Sequence, residues 1–318
     1  MNTTMARLVV GRLGTSLLTL LVVSIVVFAI TELLPGDVAE VVLGQSATPE
    51  AVAGLRAALH LDQSAYLRYL HWLLGLLSGD PGRSLVNNEP VAALIGSRLP
   101  NSLLLAAATT AVSVPIALTL GITAAMWRGS SFDRAVSVFS VSIVSVPEFL
   151  VATIAVLIFA VKLRWLPALS YASDIRSLGH FFRAFAMPVV SLSCVIIAQM
   201  VRMSRAAVID ALGSSYVEMA ILKGARPARI VLSHALPNAV GPIANAIALS
   251  LSYLLGGVII IEIIFNYPGL AKLMVDGVAT RDMPLVQACA MIFCFAYLLL
   301  VTVADLSAIL SNPRLRFR

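Results

Sequence analysis

Charged side chains are scarce in this chain: they make up 12% of its 318 residues, where ordinary soluble domains carry about 25%. Cysteine is scarcer still. The three present, Cys194, Cys289 and Cys294, all sit in apolar stretches, and two of them five residues apart face different sides of a helix. They read as small buried side chains rather than a bridge or a metal site, which excludes a secreted disulfide scaffold. Runs of alternating polar and apolar residues, expected of an outer-membrane barrel, are missing. So is a Gly-rich phosphate cradle ending in Lys and Ser or Thr, and so is an acidic cluster to ligate magnesium. The four histidines, His60, His71, His180 and His234, form no His-Glu-x-x-His pair and no evident Ser/His/Asp set. Nothing here hydrolyses ATP, and no metal site is expected.

What the chain has is apolar surface. Hydrophobic residues make up 59% of it, and the mean hydropathy is +0.95. A soluble core of this length cannot hide so much, so lipid must cover it; a soluble enzyme and a disordered chain are both excluded. Runs of spanning length lie at about residues 13–30, 102–127, 135–161, 187–203, 239–265 and 285–310. Backbone in lipid must satisfy its hydrogen bonds within its own segment, so these six runs predict six transmembrane helices in an all-α membrane protein. The first continues to Leu34 before Pro35-Gly36-Asp37, which is too long for a signal peptide and reads as a retained span.

Six spans place both termini on one side of the membrane. Arg7, Arg12, Arg128, Arg134, Arg202, Arg205, Lys223, Arg226, Arg229, Arg314, Arg316 and Arg318 gather on that side against few acids, mainly Asp133, Asp210 and Glu218. Bases on the other side, such as Arg56, Arg83 and Arg183, are offset by Asp37, Glu50, Asp80, Asp174 and Asp282 among others. The first group belongs in the cytoplasm, so both termini are expected there. The net charge of +6 therefore encodes topology; no basic stripe with interleaved aromatics points to nucleic acid.

Two loops exceed simple connectors. Residues 1–100 comprise the first span and an external region with two amphipathic patterns. Thr48-Pro49-Glu50 caps one, with Val52, Leu55 and Leu59 on a face. Ser64 opens the other, with Leu67, Leu70, Leu74 and Leu77 before Ser78-Gly79-Asp80-Pro81-Gly82 stops it. These helices are expected to lie on the membrane surface or cap the bundle; a plain spacer is the alternative. Residues 101–318 hold the other five spans and a cytoplasmic loop at about 202–237. There a helix around Glu218 ends at Gly224, where glycine supplies a left-handed cap, and a second starts near Pro227, predicting a helix–turn–helix elbow.

Glu218-x-Ala220-x-x-x-Gly224, followed after nine intervening residues by His234-Ala235-Leu236-Pro237, resembles the EAA loop of ABC-importer permeases. Lys223-Gly224, His234-Ala235-Leu236 and Asn238 resemble the oligopeptide, dipeptide and nickel branch. So do Leu33-Leu34-Pro35-Gly36-Asp37, the segment Gly79 to Leu85, Ser145-Val146-Pro147-Glu148-Phe149, the segment Gly256 to Glu262 and Asn312-Pro313-Arg314. The loop departs from the family name in reading Glu-Met-Ala, and Glu148 stands where a small or neutral residue is more usual.

The resemblance implies a type I importer permease in the inner membrane, binding no cofactor itself, with ATP and magnesium held by partner ATPase subunits. Its partners would be a second homologous permease subunit, two ATPase subunits, an external solute-binding protein and the bilayer. Its coupling helix would seat in a cleft of the ATPase. On that reading Glu218 pairs with a basic partner, Ala220 keeps the helix surface low for close approach and Gly224 forms the elbow. Lys223, Arg226 and Arg229 frame the contact, or merely set topology. Peptides are the implied cargo; relatives import nickel, glutathione, opines or sugars.

Charge inside a span is costly, so Glu148 is a candidate for the substrate path, with a bundle-bonded carboxyl as the plain alternative. Pro147 and Gly256-Gly257 suggest a kink and a close helix approach. A secondary, ion-coupled transporter would instead show inverted repeats and broken helices, and neither is legible here. A membrane-embedded enzyme would need convergent titratable groups within the spans, where only isolated glutamates occur.

Overall fold

The computed structural model describes residues 3–33, 47–58, 63–169 and 178–310. Among them the regular structure is all helical, with one isolated antiparallel bridge between Arg83 and Pro90. In chain order the helices are α1 (Thr3–Glu32), α2 (Pro49–Ala58), α3 (Ala65–Ser78), α4 (Val91–Met126), α5 (Ser131–Val144) and α6 (Glu148–Ala155). They continue as α7 (Leu178–Leu212), α8 (Ser215–Leu222), α9 (Leu236–Ile264), α10 (Leu270–Ala279) and α11 (Met283–Leu310). A π-helical stretch, Val156–Lys162, extends α6, and another, Ile230–Ala235, leads into α9.

Among the described residues five helices are long and apolar enough to cross a membrane: Arg7–Glu32, Val91–Met126, Phe185–Leu212, Ile230–Ile264 and Met283–Ile309. The sixth expected span is broken. Ser131–Val144 and Glu148–Lys162 meet at 97°, so the run expected as one helix over 135–161 is two. Pro147 has no N–H to continue a helical ladder and disfavours the α region in the residue before it. It serves as the N-cap of α6, while Ser145 ends α5 with its N–H on Val141 O and its hydroxyl on the same carbonyl.

Other boundaries move outward. The external segment was expected to run to Pro100, but α4 starts at Val91 and passes through that proline. Val91 and Ile95 are buried against Leu270, Leu285, Ala288 and Cys289, and that burial offsets the missing donor. Likewise α7 extends past Arg202 to Leu212, so most of the loop at 202–237 is itself helical.

The chain forms two compact units. One comprises Thr15–Leu103 and Pro268–Ala296. In it, Phe28 of α1 meets Tyr69 and Trp72 of α3 with ring centroids 5.5 and 5.8 Å apart. The Ser24 and Tyr69 hydroxyls share a hydrogen bond of 2.8 Å, and Arg68 pairs with Glu32. The packing face of α3 is thus aromatic. Of the leucine stripe, Leu67, Leu74 and Leu77 are exposed and Leu70 is half-buried, so most of the stripe faces away from this unit. Gly79, at φ +83°, closes α3 as expected of its position. Of the α2 pattern, Leu59 lies outside the described residues.

Asp282 ties this unit's loops together. It is buried and accepts hydrogen bonds from the Ser84 hydroxyl and, at 3.1 Å, from the Leu85 N–H. Asp282→Ala strands both donors, at an expected cost of about 1.5–3 kcal/mol. Limited proteolysis of the purified protein around residues 79–90 should accelerate accordingly.

The other unit comprises Met1–Gly14, Leu104–Tyr267 and Tyr297–Arg318. Its centre is α7, which packs on α5, α6 and α9. Leu192, Met200, Val201, Ile261, Phe265 and Tyr267 are among its most buried side chains. Arg12 of α1 reaches Asp305 of α11 at 3.3 Å.

Candidate functional site

The elbow is built from two buried residues and a left-handed turn. In α8, Val217 and Ala220 are buried, and Val217 packs with Ile230 and Ala235, with Ala211, Leu212 and Ala225 around them. Inward spacing of three puts the intervening positions outside. Tyr216, Glu218, Met219, Ile221 and Leu222 are exposed, Leu222 at 75%. Four large apolar side chains and one carboxylate are thus exposed on α8.

Gly224, at φ +74°, ends the helix. Its N–H bonds Ile221 O at 2.9 Å, and the next N–H, of Ala225, reaches back to Ala220 O at 3.2 Å. This pair of bonds is a Schellman motif, satisfying carbonyls the helix end would orphan. Lys223, Arg226 and Arg229 are exposed around the turn. A helical turn at Pro227–Arg229 and the π-helical stretch then carry the chain into α9, with Leu236 N–H on Val231 O.

Five of the six expected elbow residues are therefore exposed, and Ala220 is not. Its side chain is 8% exposed and faces the chain's own core. Ala220, expected to keep the outer surface low for close approach, is instead buried within the chain. The π-helical stretch was missed, because one extra residue in a turn leaves no mark in a residue pattern.

Glu148 opens α6 immediately after the break. Its half-buried side chain lies over Gly257 of α9: a Cβ at residue 257 would overlap the Glu148 carboxylate and approach Leu192 Cδ1 to 2.7 Å. Gly256 faces open space, so only the second glycine of the expected pair makes a close approach. The other intramembrane carboxylate expected from sequence, Glu262, is fully buried in α9.

A second charged contact had only a faint signal in the sequence. Asp133, in the first turn of α5, takes the Arg205 guanidinium of α7 in a two-pronged grip, Nε at 2.5 Å and Nη2 at 2.9 Å. The Gly129 N–H donates to the same carboxylate at 2.9 Å, and the Ser130 hydroxyl caps the Asp133 N–H at 3.1 Å. Ser130-x-x-Asp133 is a legible cap, and an acid standing among bases is a hint. The partner lies 72 residues away and is not legible.

Among the described residues this arrangement offers an exposed helix of mixed apolar and charged side chains. Residues 117–317 match the family described as binding-protein-dependent transport system inner membrane component, and residues 5–106 match its N-terminal companion. The chain belongs to this family. It is 34% identical over 310 residues to the Probable peptide ABC transporter permease protein y4tP of Sinorhizobium fredii, covering 97% of this chain and 99% of that one. It is likewise 34% identical over 314 residues to the Glutathione transport system permease protein GsiC of Escherichia coli (strain K12), covering 99% and 100%.

This permease is thus an all-α, multi-pass inner-membrane subunit of an ABC importer with the type I fold, and it forms the translocation path. It is no enzyme: in such importers separate ATPase subunits hydrolyse ATP, and a binding protein serves the outside. The expectation that no broken helix would be found is corrected by the 97° bend. Family membership, rather than unbroken spans, disfavours the secondary transporter.

Proposed function

We propose that this permease imports peptides or peptide-like solutes such as glutathione, paired with a second homologous permease subunit. Two ATPase subunits dock below it, and an external solute-binding protein delivers the cargo. Both termini are cytoplasmic on the strength of the basic residues gathered at one set of loops. The chain holds no cofactor of its own; ATP and magnesium belong to the ATPase pair. The relatives named for peptide and for glutathione transport support the cargo class.

The observation that carries the coupling role is the exposed face of α8, with Met219 54% and Leu222 75% exposed on a helix braced from within by Val217. That face seats in an ATPase cleft. Glu218 meets a basic residue there, while Lys223, Arg226 and Arg229 border the contact and Gly224 sets its angle. Closure of the ATPase pair then swings the permease pair between inward- and outward-facing states as rigid bodies. Glu148 lies beside the path, its carboxylate suited to a cationic group such as a peptide amino terminus.

The test is a cysteine at position 218 in the assembled importer. It should cross-link to an ATPase subunit, and Leu222→Asp should weaken ATPase co-purification by at least about tenfold, since a desolvated charge replaces an apolar anchor. An uncross-linked position 218, together with unchanged co-purification of the Leu222→Asp variant, overturns the coupling role. Uptake of labelled glutathione and tripeptides into vesicles tests the cargo class, and failure to take up either rejects it.

A further inference from the structure

The elbow has two limbs: α7 enters it and α9 leaves it. Both limbs are tied to the broken span. On the leaving side, Gly257 of α9 receives the Glu148 side chain at the start of α6. On the entering side, Arg205 of α7 grips Asp133 at the start of α5. Only Gly213 and Ser214 separate the end of α7 from α8, and Arg205 lies seven residues, about two turns, before that end.

The entering tie is built to hold a direction. Asp133 is 3% exposed, and both its carboxylate oxygens are engaged by the guanidinium fork, one of them also by the Gly129 N–H. A two-pronged ion pair fixes angle as well as distance, which a point charge does not. At the same level α7 is held from another side. A Cβ on Gly121 of α4 would overlap the Ser204 hydroxyl, approach Val201 O to 3.0 Å and reach the Arg205 N at 3.3 Å. With α4 closed against it there, α7 has little room to slide without taking its partner along.

We propose that the Asp133–Arg205 pair is a positioning link that carries movement of α8 into α5 and so to the break at Ser145–Pro147. Displacement of α8 moves the last two turns of α7, the fork turns α5 with them, and the hinge between α5 and α6 absorbs the rotation. The link changes the shape of the path without touching cargo or nucleotide. It rests on the coupling role proposed for α8, and the experiment separates the two.

Hydrogen exchange is measured on the importer assembled in nanodiscs with its ATPase subunits and binding protein, nucleotide-free and then trapped with ATP and vanadate. In the wild type, trapping should change exchange across residues 141–155 by at least about fivefold, because the hinge amides report local opening. Asp133→Asn keeps the shape and loses the ion pair; Arg205→Lys keeps the charge and loses the fork. Both should hydrolyse ATP within about twofold of wild type yet lose most of the trapping-dependent change, Arg205→Lys less completely.

An undiminished change in both variants overturns the link, as does its absence from the wild type. Failure of both to accumulate also overturns it, assigning the pair a purely structural role. The cross-link from position 218 is scored in the same preparations. Its absence from the wild type rejects the coupling role itself; its presence beside undiminished exchange rejects only the link.

Discussion

Gly224→Val is expected to abolish ATP-driven uptake while the permease reaches the membrane in wild-type amounts. The backbone at 224 has φ +74°, where an L-residue pays about 1–2 kcal/mol and a β-branched one more. The turn can escape that strain only by unwinding. Unwinding breaks the bonds from the 224 and 225 amides to Ile221 and Ala220 and swings α8 off its axis. The spans take no part in this turn, so insertion is spared. The exposed face carrying Met219 and Leu222 is redirected, and uptake should fall by at least about tenfold, as misplaced contacts do where geometry sets a rate. Vesicle uptake normalised to permease content checks this. Gly224→Asn is the companion, since asparagine tolerates the left-handed region; it should retain a substantial fraction of uptake. Equal loss in both variants, or none in either, removes the turn from the mechanism.

Gly257→Val is expected to destabilise the permease measurably. A Cβ there overlaps the Glu148 carboxylate and comes within 2.7 Å of Leu192 Cδ1, and valine adds two methyl groups to that conflict. Overpacking of this kind costs about 1–3 kcal/mol, and the buried α7–α9 contact leaves little room to relax. For a chain this long the thermal midpoint of the detergent-purified permease should fall by about 5 °C. Glu148→Ala removes one of the two obstacles. Combined with Gly257→Ala it should recover part of the loss, giving a coupling of about 1 kcal/mol in a double-mutant cycle. Strict additivity would mean that the two residues do not meet.

How much of this was legible varies element by element. The apolar runs pointed to spans because lipid admits only helices or closed barrels. Gly224 pointed to a left-handed cap because a helical pattern ended there beside a proline. Pro147 pointed to a kink, but a kink and a 97° break share one residue pattern; neighbouring packing selects between them. The leucines of α3 did not say which face meets protein: Leu67 and Leu74 face outward while Tyr69 and Trp72 pack on Phe28. In water the most apolar stripe would be the buried one. Against lipid an exposed leucine costs nothing, so hydrophobicity does not say which side meets protein.

The amino-acid order alone determined the class of the molecule, the number of apolar runs, the loops in which arginines gather, and the elbow at Gly224, because each depends on composition or on neighbours within a few residues. Tertiary structure alone decided that Ala220 turns inward, that Glu148 rests on Gly257 and that Asp133 grips Arg205. Those contacts join helices far apart in the chain, and in a bilayer the faces that meet are no more apolar than the faces that do not.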